Sequence, residues 1–151
     1  MNRVALDLGT TTGWAVLLDG QIISGTWHLA TKRHEGGGMR YVRFRNQLDE
    51  LIKEMSPMGP VCVFYEEVRR HMGTTASHVY GGFESHLQAY CDEHSVPYES
   101  VCVGTIKKHA TGKGNSNKAK MIEAAKAKWG RDFTDDNEVD ARWLLDYVTT
   151  R

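Results

Sequence analysis

Cysteine is scarce and scattered. Cys62, Cys91 and Cys102 are three, an odd number, with no CxxC pair, so neither a disulfide framework nor a cysteine-bound zinc site is indicated, and a reducing cytosol is the expected compartment. Proline is equally sparse, at 3 residues, and with 40% apolar and 25% charged residues the composition is that of a folded soluble chain rather than a disordered or fibrous one. There is no apolar run long enough to span a bilayer, and none before the first acid at Asp7, so neither membrane insertion nor export is expected. No internal repeat, low-complexity tract or linker divides the chain. Its 151 residues are expected to form one domain spanning 1–151, large enough to bury a core without staples.

The formal net charge is zero, and taken whole it says nothing about nucleic acid. Its distribution says more. Between Gly104 and Arg131 stand Lys107, Lys108, Lys113, Lys118, Lys120, Lys126, Lys128 and Arg131 against Glu123 alone. Asp132, Asp135, Asp136, Glu138, Asp140 and Asp146 then reverse the balance. Either these are two solvated faces, or they suit a phosphodiester enzyme with lysines on backbone phosphates and carboxylates on metal.

The hydrophobic pattern predicts an α/β fold. Residues 3–8 read as a buried strand closed by the Gly9 to Gly13 turn, Trp14 to Leu18 as a second strand, and Asp19-Gly20 as a two-residue hairpin into a third strand, 21–29. A glycine-rich basic loop, 31–38, leads to an amphipathic helix over 39–55 with Tyr41, Phe44, Leu48, Leu51 and Ile52 at helical spacing. Val61 to Tyr65 is too short and too apolar for anything but a buried parallel strand, and Glu66 and Glu67 stand at its exit. Further expectations are a helix over about 77–93, a strand over 96–103, a short helical turn at 106–109, a loop over 111–116, and a helix capped by Asn117 and running to Trp129. A last helix, capped by Asp135 or Asp136, carries Val139, Trp143, Leu144 and Tyr147 inward.

Three acids occupy telling places: Asp7 and Glu66 at strand ends and Asp140 in the first turns of the last helix. Each alone has a bland explanation as a strand exit or a helix-dipole partner. Together they form a pattern, because ligands gather outside the carboxyl ends of parallel strands, and a carboxylate cluster there suits hard cations and metal-assisted phosphodiester hydrolysis.

Ala5-Leu6-Asp7-Leu8-Gly9-Thr10, followed by Gly13-Trp14, resembles the opening of the RuvC-type Holliday junction resolvases of the RNase H-like superfamily. Phe64-Tyr65-Glu66-Glu67-Val68 resembles that family's fourth-strand motif, Ile106-Lys107 with Gly112 to Lys118 its lysine-bearing stretch, and Asp136-Asn137-Glu138-Val139-Asp140-Ala141 its final helix. The resemblance implies a mixed five-stranded sheet, three antiparallel strands and then parallel ones, flanked by helices. It also implies metal ligands at Asp7, Glu66 and Asp140, and catalytic lysines at Lys107 and Lys118. The implied cofactor is magnesium, two ions, with manganese able to substitute. The implied reaction is paired symmetric nicking of branched DNA, four-way junctions above all, by a homodimer without a nucleotide cofactor, in a bacterial cytoplasm or a phage-infected host. The Gly36-Gly37-Gly38-Met39-Arg40 entry to the first helix is more similar to phage-encoded relatives.

The sequence departs from the family in two places. The acid or His usually found three residues before the last acid is Asn137 here, so the fourth metal-site residue is either Asp136, which shares a helix face with Asp140, or Asn137, and Asp136 is equally suited to capping. Where the family offers an aromatic after Glu66, this chain reads Arg69-Arg70-His71-Met72; Arg69 and Arg70, with Lys107, Lys108 and Lys113, are the expected DNA contacts. Flap or fork cleavage is the alternative specificity. A non-catalytic module conflicts with the three acids, and an actin-like ATPase, suggested by Asp7 to Thr12, normally needs a second domain. For a dimer interface two possibilities stand: the apolar residues Val79, Tyr80, Phe83, Leu87 and Tyr90 meet a second copy, or they are buried within one chain.

Overall fold

Alternating side chains make both faces of the sheet apolar, and in the computed structural model, which describes residues 1–69 and 73–151, helices cover both faces. The order along the chain is β1 (Asn2–Asp7), β2 (Thr11–Leu18), β3 (Gln21–His28), α1 (Met39–Met55), a single 3-10 turn, β4 (Val61–Glu67), α2 (Thr74–Glu93), β5 (Tyr98–Cys102), α3 (Val103–Thr111), α4 (Lys118–Trp129) and α5 (Asp136–Thr150). The sheet order is β3-β2-β1-β4-β5. β1, β2 and β3 pair antiparallel, whereas β4 runs parallel to β1 and β5 parallel to β4. The mixed five-stranded sheet is as expected. Among the described residues no helix is long and apolar enough to cross a membrane.

Asp19 and Gly20, both at positive φ, make the hairpin turn between β2 and β3. Strand periodicity then sorts the core. Val4, Leu6, Val16, Val63 and Tyr65 pack against Phe44, Leu48 and Ile52 of α1 and Phe83, Leu87 and Tyr90 of α2. Their neighbours Ala5, Ala15, Phe64 and Val101 face the other way, onto Val139, Leu144, Leu145 and Val148 of α5, with Ile106 of α3 and Met121 and Ala125 of α4.

Three elements begin about three residues earlier than expected. β2 starts at Thr11 rather than Trp14, because Thr11 to Gly13 of the expected turn already pair with β3. The 106–109 turn is part of a nine-residue helix, because β5 stops at Cys102 and its chain coils at once, ending at Gly112 with φ 86°. α2 begins at Thr74 rather than near Ser77. A further correction concerns the interface reading of α2. Phe83 and Leu87 are fully buried and Tyr80 and Tyr90 nearly so, all in the core of one chain, while Gly82 lets Tyr41 of α1 close in. These residues are consumed by intramolecular packing and offer no self-complementary apolar surface, so Phe83 cannot report on dimerisation.

Candidate metal centre

The sheet register brings the first two acids side by side. Leu6 of β1 pairs with Tyr65 of β4, and the next residue on each strand is Asp7 and Glu66. Both lie two residues beyond Ala5 and Phe64, which face α5, so both carboxylates emerge on that side. The third comes from α5, which can approach only because of Gly13. Asp7 pairs with Gly13, and a Cβ at Gly13 would sit 1.8 Å from the backbone oxygen of Asn137. With no side chain there, the first turn of α5 rests on β2, and Asp140 follows about one turn later.

Ligand oxygens of Asp7, Glu66 and Asp140 lie within 4.8 Å of one another. Glu66 is 7% exposed, and Asp7 and Asp140 are half-buried beside it. Burial, and then the negative charge of Glu66 and Asp140, pushes Asp7 well above the ordinary carboxylate range. Burial first and Glu66 next push Asp140 up to about 7. Burial also raises Glu66, and the nearby Lys107 partly counters this for both Glu66 and Asp140. Three crowded acids facing the half-buried Lys107 and the mostly exposed Lys118 are short of positive charge.

The backbone around the acids is fastened. The buried Thr12 hydroxyl donates to Gly9 O at 2.6 Å, holding the turn that follows Asp7. Tyr80 of α2 donates its hydroxyl to the backbone oxygen of Glu66 at 2.8 Å and accepts from Val68 N at 3.3 Å, fixing the exit of β4. Sequence reasoning missed Gly13, Thr12 and Tyr80 as site-building residues. A glycine directly across the strand pair from Asp7 was the one legible signal.

The remaining expected residues divide. Lys107, half-buried on α3, faces the acids. Lys118 is mostly exposed and its Nζ lies 3.1 Å from Asp136, whose carboxylate stands outside the three-acid group. Asp135 is the helix cap, accepting from Asn137 N at 2.8 Å, which leaves Asp136 free of that duty. Asn137 presents its backbone oxygen to Gly13. Arg69 is exposed, 3.3 Å from Glu67, and borders a cavity of about 330 Å³ with Cys102, Val103 and Gly104 at the start of α3. Lys108 and Lys113 are exposed, and the loop carrying Lys113 is tied by Thr111 and Ser116, whose hydroxyls bond its backbone oxygen at 3.2 and 2.9 Å. Arg70 lies outside the described residues.

No family model matches the sequence, and no curated protein matches it either. Solved structures do. The chain is similar to RuvC of Thermus thermophilus in complex with a Holliday junction substrate, with TM-score 0.77 and 17% identity over 95% of this chain and 90% of that one. It is likewise similar to the Thermus thermophilus RuvC structure, with TM-score 0.70 and 19% identity over the same shares. At such identities the likeness establishes a shared fold.

Proposed function

We propose that this chain is a divalent-metal-dependent endonuclease that cuts branched DNA, four-way junctions foremost, by phosphodiester hydrolysis. The observation that carries the reading is the convergence of Asp7, Glu66 and Asp140 within 4.8 Å at the end of a sheet shared with a protein solved on a Holliday junction substrate. An actin-like ATPase normally needs a second domain to clamp its nucleotide, and a purely binding module has no need of three clustered acids.

The donor set fits magnesium, or manganese in its place: hard oxygens, crowded and short of positive charge. Asp7, Glu66 and Asp140 would hold the metal, with Asp136 or the Asn137 amide able to complete the set from the first turn of α5. When bound, a pair of such ions supplies Lewis acidity at the phosphate and offsets charge on the leaving oxygen. The chain's own residues do the rest. The paired ends of β1 and β4 fix the spacing of Asp7 and Glu66, and Gly13 sets the height of Asp140 above them. Lys107, half-buried beside the acids, holds positive charge where the phosphate oxygens become more negative. Lys118 and Asp136 form a charged lip over the same end. Arg69, Arg70, Lys108 and Lys113 grip backbone phosphates around it. The active unit is a homodimer, since one chain has one site and two symmetric nicks need two.

The test incubates the protein and magnesium with end-labelled four-way junctions, flaps, forks and linear duplex, alongside the Asp7→Asn variant. Paired symmetric cuts in the junction alone, absent from the variant, are expected. Preferential flap or fork cutting would move the substrate, and no metal-dependent cutting of any DNA would overturn the reading.

A further inference from the structure

Away from the three acids, the β2–β3 turn, the end of α4 and the middle of α5 enclose a cavity of about 410 Å³ lined by Gly20, Gln21, Ile22, Trp129, Arg131 and Arg142. Arg142 is only 8% exposed. Its guanidinium lies 5.3 Å from the Trp129 ring centroid and 5.2 Å from that of Phe133. Its Nε donates to Ser24 Oγ at 2.6 Å and its Nη2 reaches Ile22 O at 3.5 Å. Its Nη1 has no acceptor among the described residues. Arg131 sits 3.9 Å over the Phe133 ring and donates from Nη2 to Glu138 Oε2 at 2.7 Å. Ser24 donates to that same Glu138 oxygen at 2.6 Å.

Arg142 is therefore buried without a carboxylate of its own among the described residues: it reaches Glu138 only through Ser24, and the half-exposed Arg131 already holds that carboxylate. A purely structural ion pair needs one cation per anion, and a surplus charge in a desolvated site is costly unless something negative joins it. Burial, with Arg131 next, holds Arg142 below its ordinary pKa, as expected where positive charge is in excess. The Arg131 fork lies against the Phe133 ring, and the Arg142 guanidinium stands beside both Trp129 and Phe133, so aromatic rings border the place an oxyanion would take.

We propose that this pocket is a phosphate-binding site that takes a backbone phosphodiester of a DNA arm beyond the cut. The oxyanion chemistry follows from the cluster, and the DNA source rests on the nuclease reading above. Asp7 pairs with Gly13, Gly13 with Thr26, and Ile22 lies four residues back along β3. With strand rise of ~3.3 Å and spacing of ~4.8 Å, the pocket is roughly 15–20 Å from the acids. Along a duplex that is about five base pairs.

The experiment uses the full chain carrying Asp7→Asn, so that binding is read without cutting, and adds Arg131→Gln, whose side chain is half-exposed, with the urea midpoint of both proteins measured to confirm equal folding. Junction affinity is expected to fall about 3- to 10-fold, and the slope of log affinity against log salt to shrink by about one phosphate's worth. Uncharged methylphosphonates are placed singly at positions three to seven from the branch. One of them should weaken the Asp7→Asn protein by the same factor and leave the Arg131→Gln double variant unmoved. Inorganic phosphate at fixed ionic strength should shift the Trp129 indole resonance, and junction DNA should displace it. A phosphate response that DNA cannot compete with would make the ligand a free small oxyanion and overturn the DNA assignment. Unchanged affinity, slope and methylphosphonate profile would overturn the site itself, while loss of cutting in Asp7→Asn would keep the nuclease reading intact. A wild-type chain that neither binds nor cuts DNA would remove that reading and the DNA source with it, whatever inorganic phosphate does.

Discussion

The two faces of one sheet are built for opposite ends. The face under α1 and α2 is closed by Val4, Leu6, Val63, Phe44, Leu48, Phe83 and Leu87, and among the described residues it buries no charged side chain. The face under α3, α4 and α5 uses the alternate residues of the same strands, among them the small Ala5 and Ala15, and takes in Glu66, Arg142 and Asp146. Asp146 is held there by His109 at 2.7 Å and Lys128 at 2.9 Å, which ties α3 and α4 to α5. Apolar burial stabilises the fold, whereas each buried charge costs several kcal/mol before its partners offset it. One face thus supplies stability and the other spends part of it on chemistry, and substitutions should separate the two.

The largest effect is expected on the charged face. Asp7→Asn, Glu66→Gln and Asp140→Asn should each lower the magnesium-dependent cutting rate by at least about 10²-fold, the scale of losing one transition-state contact, while the urea midpoint does not fall. A variant that still cuts at near the parent rate would break the comparison at its centre. On the other face, Phe83→Ala should cost about 3–5 kcal/mol of stability, as for a fully buried aromatic, yet leave the rate per folded molecule unchanged at a temperature where the variant remains folded. A comparable loss of rate per folded molecule would mean that α2 packing and the acids are not separable.

Much of this division could be read beforehand, because strand periodicity is a local signal. Asp7 and Glu66 were legible as the ends of short apolar strands, and Asp140 as an acid near the start of a helix. The apolar stripe of α2 was legible too, but a stripe says only that something covers it, and here the cover is the chain's own sheet and α1. The buried charges were invisible for a different reason. Arg142 meets Ser24 across 118 positions, and Asp146 stands in a run of acids that looks solvated until His109 and Lys128 are placed on it. The choice between Asp135 and Asp136 as helix cap is one residue wide, and only the φ and ψ of Asp135 and its bond to Asn137 N decide it.

That cap assignment sets a smaller expected effect. With Asp135 holding the helix start and the Asp136 carboxylate outside the three-acid group, the expectation is that the Asn137 amide completes the metal set and Asp136→Asn removes only the lip charge beside Lys118, so cutting should fall by about tenfold or less, and adding Lys118→Ala should make it little worse because the two act as a pair. A loss as deep as that of Asp140→Asn would place Asp136 among the ligands instead. Comparing the single and double variants under saturating magnesium distinguishes the two.

The smallest expected effect is thermal, and it tests whether the charged face really is held at a cost. Asp140 is pushed up to about 7, and Asp7 and Glu66 are raised as well, so in the folded protein all three bind protons more tightly than in the unfolded chain. An acid shifted upward contributes stability that is fully present below its ordinary pKa near 4 and is lost as pH rises through the folded value. Without divalent metal, the Tm of the wild type should therefore decline between pH 5 and pH 8 relative to that of Asp140→Asn, which has one acid fewer to repel. The difference should be roughly 5 °C, since about 1–2 kcal/mol moves the midpoint of a chain this size by a few degrees. Magnesium competes with protons for the same oxygens, so it should raise the wild-type Tm more at pH 8 than at pH 6 and close most of the gap to the variant. Scanning fluorimetry of both proteins, with chelator and with magnesium, reads all four values. Parallel pH profiles in chelator would mean that Asp140 titrates in the folded protein as it does in the unfolded chain, and the cost assigned to the charged face would have to lie elsewhere.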